Sequence, residues 1–170
     1  MDFLELAKSR YSVRKFKKDE VPQEIIEKIL EAGMIAPTGC NNQPQRIFVV
    51  KSKEGLEKLY ACTRCHFDAP LIFVICYNKE ECWYRPYDKK ASGDIDASIV
   101  TTHMMMEAWE QGIGSCWVMH YRPEELKKTL NLPDNLESTA LLVMGYPAEE
   151  AEPAPGHSAS KKPEDIITII

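Results

Sequence analysis

The sequence carries no excess of positive charge, no long apolar run and no glycine-rich dinucleotide signature, and each absence removes a class of function. Lys and Arg total 21 against 26 Asp and Glu, a formal net charge of −5, whereas nucleic-acid-binding domains carry a basic surplus. Any anionic ligand must therefore be met by a local basic cluster. The longest clean apolar run, residues 71–76, falls far short of the ~20 residues that cross a bilayer. Residues 1–9 read as a short amphipathic helix without the apolar h-region of a secretory signal, so a cytoplasmic protein with no membrane or nucleic-acid partner is expected. No G-x-G-x-x-G follows the first expected strand, which argues against a Rossmann site. No internal repeat is present. Six cysteines in a chain read as cytoplasmic are expected to be reduced thiols, not a disulfide framework.

What is present is ordinary globular composition. The hydrophobic share of 44% over 170 residues supports one domain with a real core. Asp2 can cap a first helix running to about Lys8. Pro22 opens a second, with Ile25, Ile26, Ile29 and Leu30 on its apolar face and Gly33 ending or loosening it. Residues 36–44 form a loop rich in Gly, Pro and Asn. A strand is expected over 47–50, a helix over 54–61 and a buried strand over 71–77. The longest helix should run from Asp94 or Asp96 to Gln111, with Ile99, His103, Met106 and Trp109 facing inward, stopped by Gly112 and Gly114. A strand over 115–119, a helix over 123–130 and a strand over 139–144 follow. Residues 145–163 read as an extended linker able to span at most ~60 Å. The linker ends in Ile166, Ile167, Ile169 and Ile170. A free apolar tip of this kind is an aggregation hazard, so it should pair with a sheet, that of a partner subunit included. The interspersed elements predict a three-layer α-β-α arrangement.

Arg10, Ser12 and Arg14 alternate along an extended segment and so point to one side. Two planar guanidinium forks and a hydroxyl suit a phosphate. Lys161 and Lys162 form a second basic cluster beyond the linker. Cys62-Thr63-Arg64-Cys65-His66 fits the C-x-x-C-H haem-attachment pattern, and with Cys82 it offers a zinc set. His103 reads as a packed residue. Ser115 and Cys116 lack the base-and-orienter pattern of a nucleophile.

The stretch from Ser9 to Phe16 (SRYSVRKF) resembles the opening motif of the nitroreductases. Residues 36–44 (APTGCNNQP) are similar to the second motif of that family. Residues 96–117 resemble its long central helix and the glycine turn after it, and Lys161-Lys162-Pro163 its C-terminal basic signature. The resemblance covers nearly the whole chain. It implies an α+β fold, a three-layer α-β-α sandwich with a mixed, largely antiparallel sheet and an exchanged C-terminal segment. It also implies a single domain over 1–170, with 145–170 as an arm packing on the partner of a homodimer. FMN is implied at the interface, held by Arg10, Tyr11, Ser12, Arg14, Lys161 and Lys162 at its phosphate and ribityl end. Pro37, Thr38, Asn41 and Gln43 would line the ring, and Ile113 and Gly114 would face its edge through backbone groups. The implied activity is ping-pong transfer of electron pairs from NADH or NADPH to a nitroaromatic, quinone or similar small-molecule acceptor. No protein acid or base is assigned. The alternatives are flavin reduction, dehalogenation or enoate-type dehydrogenation on the same scaffold, and a non-catalytic binding module stapled by a metal at Cys62, Cys65 and His66. Tyr11 and Gln45 depart from the family pattern, at positions where a basic residue and Trp are common.

Overall fold

The computed structural model describes residues 2–170; Met1 lies outside the described residues. Asp2 caps α1 (Phe3–Ser9) by accepting the Glu5 N–H. Then come α2 (Gln23–Met34), β1 (Gln45–Val50), α3 (Lys53–Tyr60), β2 (Leu71–Asn78), α4 (Gly93–Glu110), β3 (Gly114–Val118), α5 (Pro123–Thr129) and β4 (Leu136–Gly145). The strands pair in the order β1-β2-β4-β3, all antiparallel. The parallel component of the sheet is one isolated bridge, Ser12 to Ser115 on the β3 edge.

The layers follow from the two-residue period of the strands. In β2, Leu71, Phe73, Ile75 and Tyr77 face α2 and α4, whereas Ile72, Val74 and Cys76 face α3 and α5. Both faces are covered, so all eight residues of β2 are buried. The sheet thus sits between two helical layers, as the alternation of elements predicts.

Two local expectations are corrected. The buried face of α4 is Asp96, Ala97, Val100, Thr101, Met104 and Ala108, not Ile99, His103, Met106 and Trp109. His103 is exposed, and the other three are only partly buried. Polar and apolar residues alternate around the helix without segregating, Asp96 and Thr101 being buried and Ile95 half-exposed, so its pattern does not single out one face. Gly33 does not end α2. A Cβ there would lie 2.8 Å from Met104 Cγ, so glycine lets α2 press against α4. Within one chain the tip at residues 166–170 forms no strand and is exposed. No helix among the described residues is long and apolar enough to cross a membrane.

Candidate functional site

Residues 10–14 lie along the free edge of β3. The Val13 N–H donates to the Ser115 carbonyl (2.9 Å), and the Val13 side chain, fully buried, fills the space beside Gly114. An ideal Cβ on Gly114 would stand 2.6 Å from Val13 Cγ2. Gly114 therefore admits the 10–14 segment. Ile113 is buried in the core, and its N–H is taken by the Ala108 carbonyl.

With Val13 turned inward, Ser12 and its basic neighbours gather about the Cys116 thiol. Burial pushes that thiol above its ordinary pKa, and Arg14, Ser12 and Arg10 each act in the opposite direction. The Arg14 guanidinium rests on the Ser12 carbonyl (3.1 Å), and among the described residues it makes no ion pair. Two cations and a hydroxyl thus share one patch, as the alternation along the segment predicts. Tyr11 points elsewhere. Its hydroxyl donates to the Ala151 carbonyl (3.1 Å), and its ring meets Trp109 edge-on at 5.3 Å and His157 at 6.2 Å. This geometry makes Tyr11 a tether for the arm.

A cavity of about 330 Å³ opens between the 62–64 and 120–122 turns, lined by Cys62, Thr63, Arg64, His120, Tyr121 and Arg122. Cys65 is near enough to influence Cys116, and its thiol lies 4.0 Å from His120 Nδ1. Cys65, Cys116 and His120 were not legible as one cluster in the sequence, because β3 and the 61–70 loop meet only in the fold.

The second loop lies far from this patch. Gly39 N–H donates to Asp96 Oδ1 (2.8 Å), and the Ser92 hydroxyl donates to Asp96 Oδ2 (2.6 Å). Asp96, only 2% exposed, thus pins the loop to the start of α4. Gln43 N–H donates to Thr38 Oγ1 (3.0 Å). Cys40, Asn41 and Gln43 all have positive φ, a sparsely populated backbone that persists where surrounding contacts impose it. Pro37, Asn41 and Gln43 are left exposed, and Thr38 is partly buried.

The two halves stand at opposite ends of the molecule. The loop leads into β1 and the basic segment lies on β3, the two outer strands of the sheet, roughly 14 Å apart at ~4.8 Å per strand. Asp96 anchors the first half and Trp109, whose Nε1 donates to Ser9 Oγ, the second. These residues are about 20 Å apart along α4. Lys161 and Lys162 are exposed on the arm. Among the described residues, the last hydrogen bond from arm to body is that of Tyr11 to Ala151.

The proposed zinc set does not converge. The Cys62 thiol is buried against Lys58 O and Thr129 Oγ1. His66 stacks on Tyr60 at 4.0 Å. Cys82 lies in the core on the other side of the sheet. Among the described residues, no group of His, Cys, Asp and Glu is placed to hold a metal ion.

Residues 7–70 and 66–146 match the profile of the Nitroreductase family. The chain belongs to the nitroreductase family. It is 31% identical over 158 residues to a putative NADH dehydrogenase/NAD(P)H nitroreductase of Methanothermobacter thermautotrophicus, covering 88% of this chain and 79% of the relative. A solved nitroreductase family protein from Clostridium difficile superimposes with a TM-score of 0.92 at 43% identity, over 99% of this chain and 98% of the other. An FMN-dependent nitroreductase from the same species gives 0.80 at 27% identity, over 98% of each chain. The residues present also fit a flavin mononucleotide: guanidiniums and a hydroxyl for a phosphate, and a rigid polar loop with both donors and acceptors.

Proposed function

We propose that this chain is an NAD(P)H-dependent oxidoreductase that works as a homodimer with FMN held between its subunits. When bound, FMN supplies the two-electron chemistry, reduced by NAD(P)H and reoxidised by a nitroaromatic, quinone or similar acceptor in alternating order. Arg10, Ser12 and Arg14 hold the phosphate, with Lys161 and Lys162 adding charge from the arm. Pro37, Thr38, Asn41 and Gln43 of the other subunit line the ring, kept in place by Asp96. No side chain is assigned as acid or base.

The observation that carries this reading is the separation of the two motifs. One chain puts its phosphate segment and its ring-lining loop on opposite sheet edges, so a single cofactor meets both only when two copies associate about a two-fold axis. The half-exposed Ile95 and the exposed isoleucines of the tip give such a pair apolar surface to bury. In this reading residues 145–170 form an arm that reaches onto the partner, leaving residues 2–144 as the body of one domain. Six unpaired thiols agree with a reducing cytoplasm.

The test is spectroscopic. The purified protein should be yellow and should bleach on anaerobic addition of NADH or NADPH. Purified protein that takes up no FMN, or a flavoprotein that neither nicotinamide reduces, would overturn the assignment.

A further inference from the structure

The cysteine motif is left unused by this function, and its geometry is specific. Of the six thiols, Cys62, Cys76, Cys82 and Cys116 are buried, Cys40 is exposed and Cys65 is partly exposed. Cys65 alone among them has an imidazole beside it, His120 Nδ1 at 4.0 Å. Three hydrogen bonds fix the pair. Thr63 Oγ1 donates to the His120 carbonyl (2.5 Å), Cys65 N–H donates to Thr63 Oγ1 (2.9 Å) and Arg122 N–H donates to the Cys62 carbonyl (3.0 Å). The 62–65 turn and the 120–122 turn are thus stapled together, and the sulfur and the ring nitrogen stay in register.

The surroundings favour an anion. Arg64 and Arg122 line the adjoining cavity. Arg122 is paired with Glu125 at 2.6 Å. Arg10 and Arg14 lie beyond Cys116. His66 is turned away, stacked on Tyr60 and beside Asp68 at 3.3 Å. Of the acidic groups on this side, Glu125 is matched by the Arg122 guanidinium and Asp68 lies beside His66.

We propose that Cys65, with His120 as its proton acceptor, is a thiol–disulfide exchange site for small carboxylate-bearing disulfides, and that its modification competes with flavin loading. Cys65 Sγ attacks one sulfur of the disulfide while its proton passes to His120 Nδ1. A new S–S bond forms to Cys65, the reagent's own S–S bond breaks, and the departing thiolate takes up the proton. Cys65 is oxidised to a mixed disulfide and one half of the reagent is reduced to a thiol. The competition rests on the flavin reading, because the added group would sit beside the proposed phosphate patch.

The experiment uses the full chain, stripped of flavin and FMN-loaded, with dithiobis(nitrobenzoate) as anionic probe and cystamine as cationic control. The stripped protein should show a fast phase that Cys65→Ser removes and Cys40→Ser leaves. His120→Ala should slow that phase by about tenfold near neutral pH, with the difference closing once solvent alone ionises the thiol. Relative to the rate of each reagent with free cysteine, which removes the difference in leaving group, the anionic probe should outpace cystamine, and equal relative rates would overturn the preference for an anion; FMN should slow the fast phase. A fast phase that survives Cys65→Ser, or one that His120→Ala leaves unchanged at every pH, overturns the thiol site. An undiminished rate in FMN-loaded protein overturns the competition. Protein that takes up no FMN overturns the flavin reading, while the Cys65 and His120 variants still decide the thiol site.

Discussion

Val13 occupies the space that a side chain at Gly114 would need. Its Cγ2 stands 2.6 Å from where that Cβ would be. The contact seats the 10–14 segment on β3 and turns its arginines outward together. Gly114→Ala should therefore displace the segment at a cost of about 1–3 kcal/mol, as overpacking generally does. Thermal melting and an FMN titration check this: both Tm and affinity should fall. A stable variant with unchanged affinity would separate Gly114 from the cofactor segment.

Asp96 should hold the 36–44 loop. Asp96→Ala leaves the Gly39 N–H and the Ser92 hydroxyl without their acceptor, a loss of about 1–3 kcal/mol for each group left unsatisfied. Hydrogen exchange should quicken over residues 38–43 in the variant and change little at residues 10–14.

The elements themselves were largely legible in the sequence. Capping by Asp2, the buried run of β2 and the proline at the start of α5 each follow from local chemistry. The basic patch was legible too, because alternation along residues 10–14 survives into the fold. The facing of α4 was not, because its apolar residues wrap around the helix and only contact with α2 selects Val100 and Met104 for the core. Gly33 and Gly114 look like punctuation in sequence and serve as packing contacts. Only the tertiary pairing of turns makes Cys65 a neighbour of His120. The start of β4 at Leu136 was missed because Glu137 and Ser138 are polar. They pair with Tyr77 and Cys76 across a register shift in the ladder.

Tyr11 should control the arm. Tyr11→Phe removes its single hydrogen bond to the Ala151 carbonyl, worth about 0.5–1.5 kcal/mol, and keeps the ring contact with Trp109. Limited proteolysis should cut residues 152–170 faster in the variant, with the body left intact.

Stability should decline in alkali partly through Cys76. This thiol is fully buried, and burial pushes its pKa up to about 12. The neutral form is thus favoured in the folded state. Its contribution is complete below the pKa of an unfolded thiol, about 8.5, and is lost as pH rises from there towards 12. Cys76→Val should flatten the fall of Tm across that window. A slope identical to that of the parent protein would assign the alkaline loss to other groups.

Subunit mixing tests the division of the cofactor site between two chains most directly. One variant carries Arg10→Ala and Arg14→Ala, the other Thr38→Ala and Asn41→Ala. Each alone should bind FMN poorly. Unfolded together and refolded, they should form mixed dimers in which one of the two sites has both halves intact. Random pairing then restores about one quarter of all sites, with the yellow colour and NAD(P)H bleaching that accompany them. No recovery on mixing, from variants that each refold as dimers, would contradict the account.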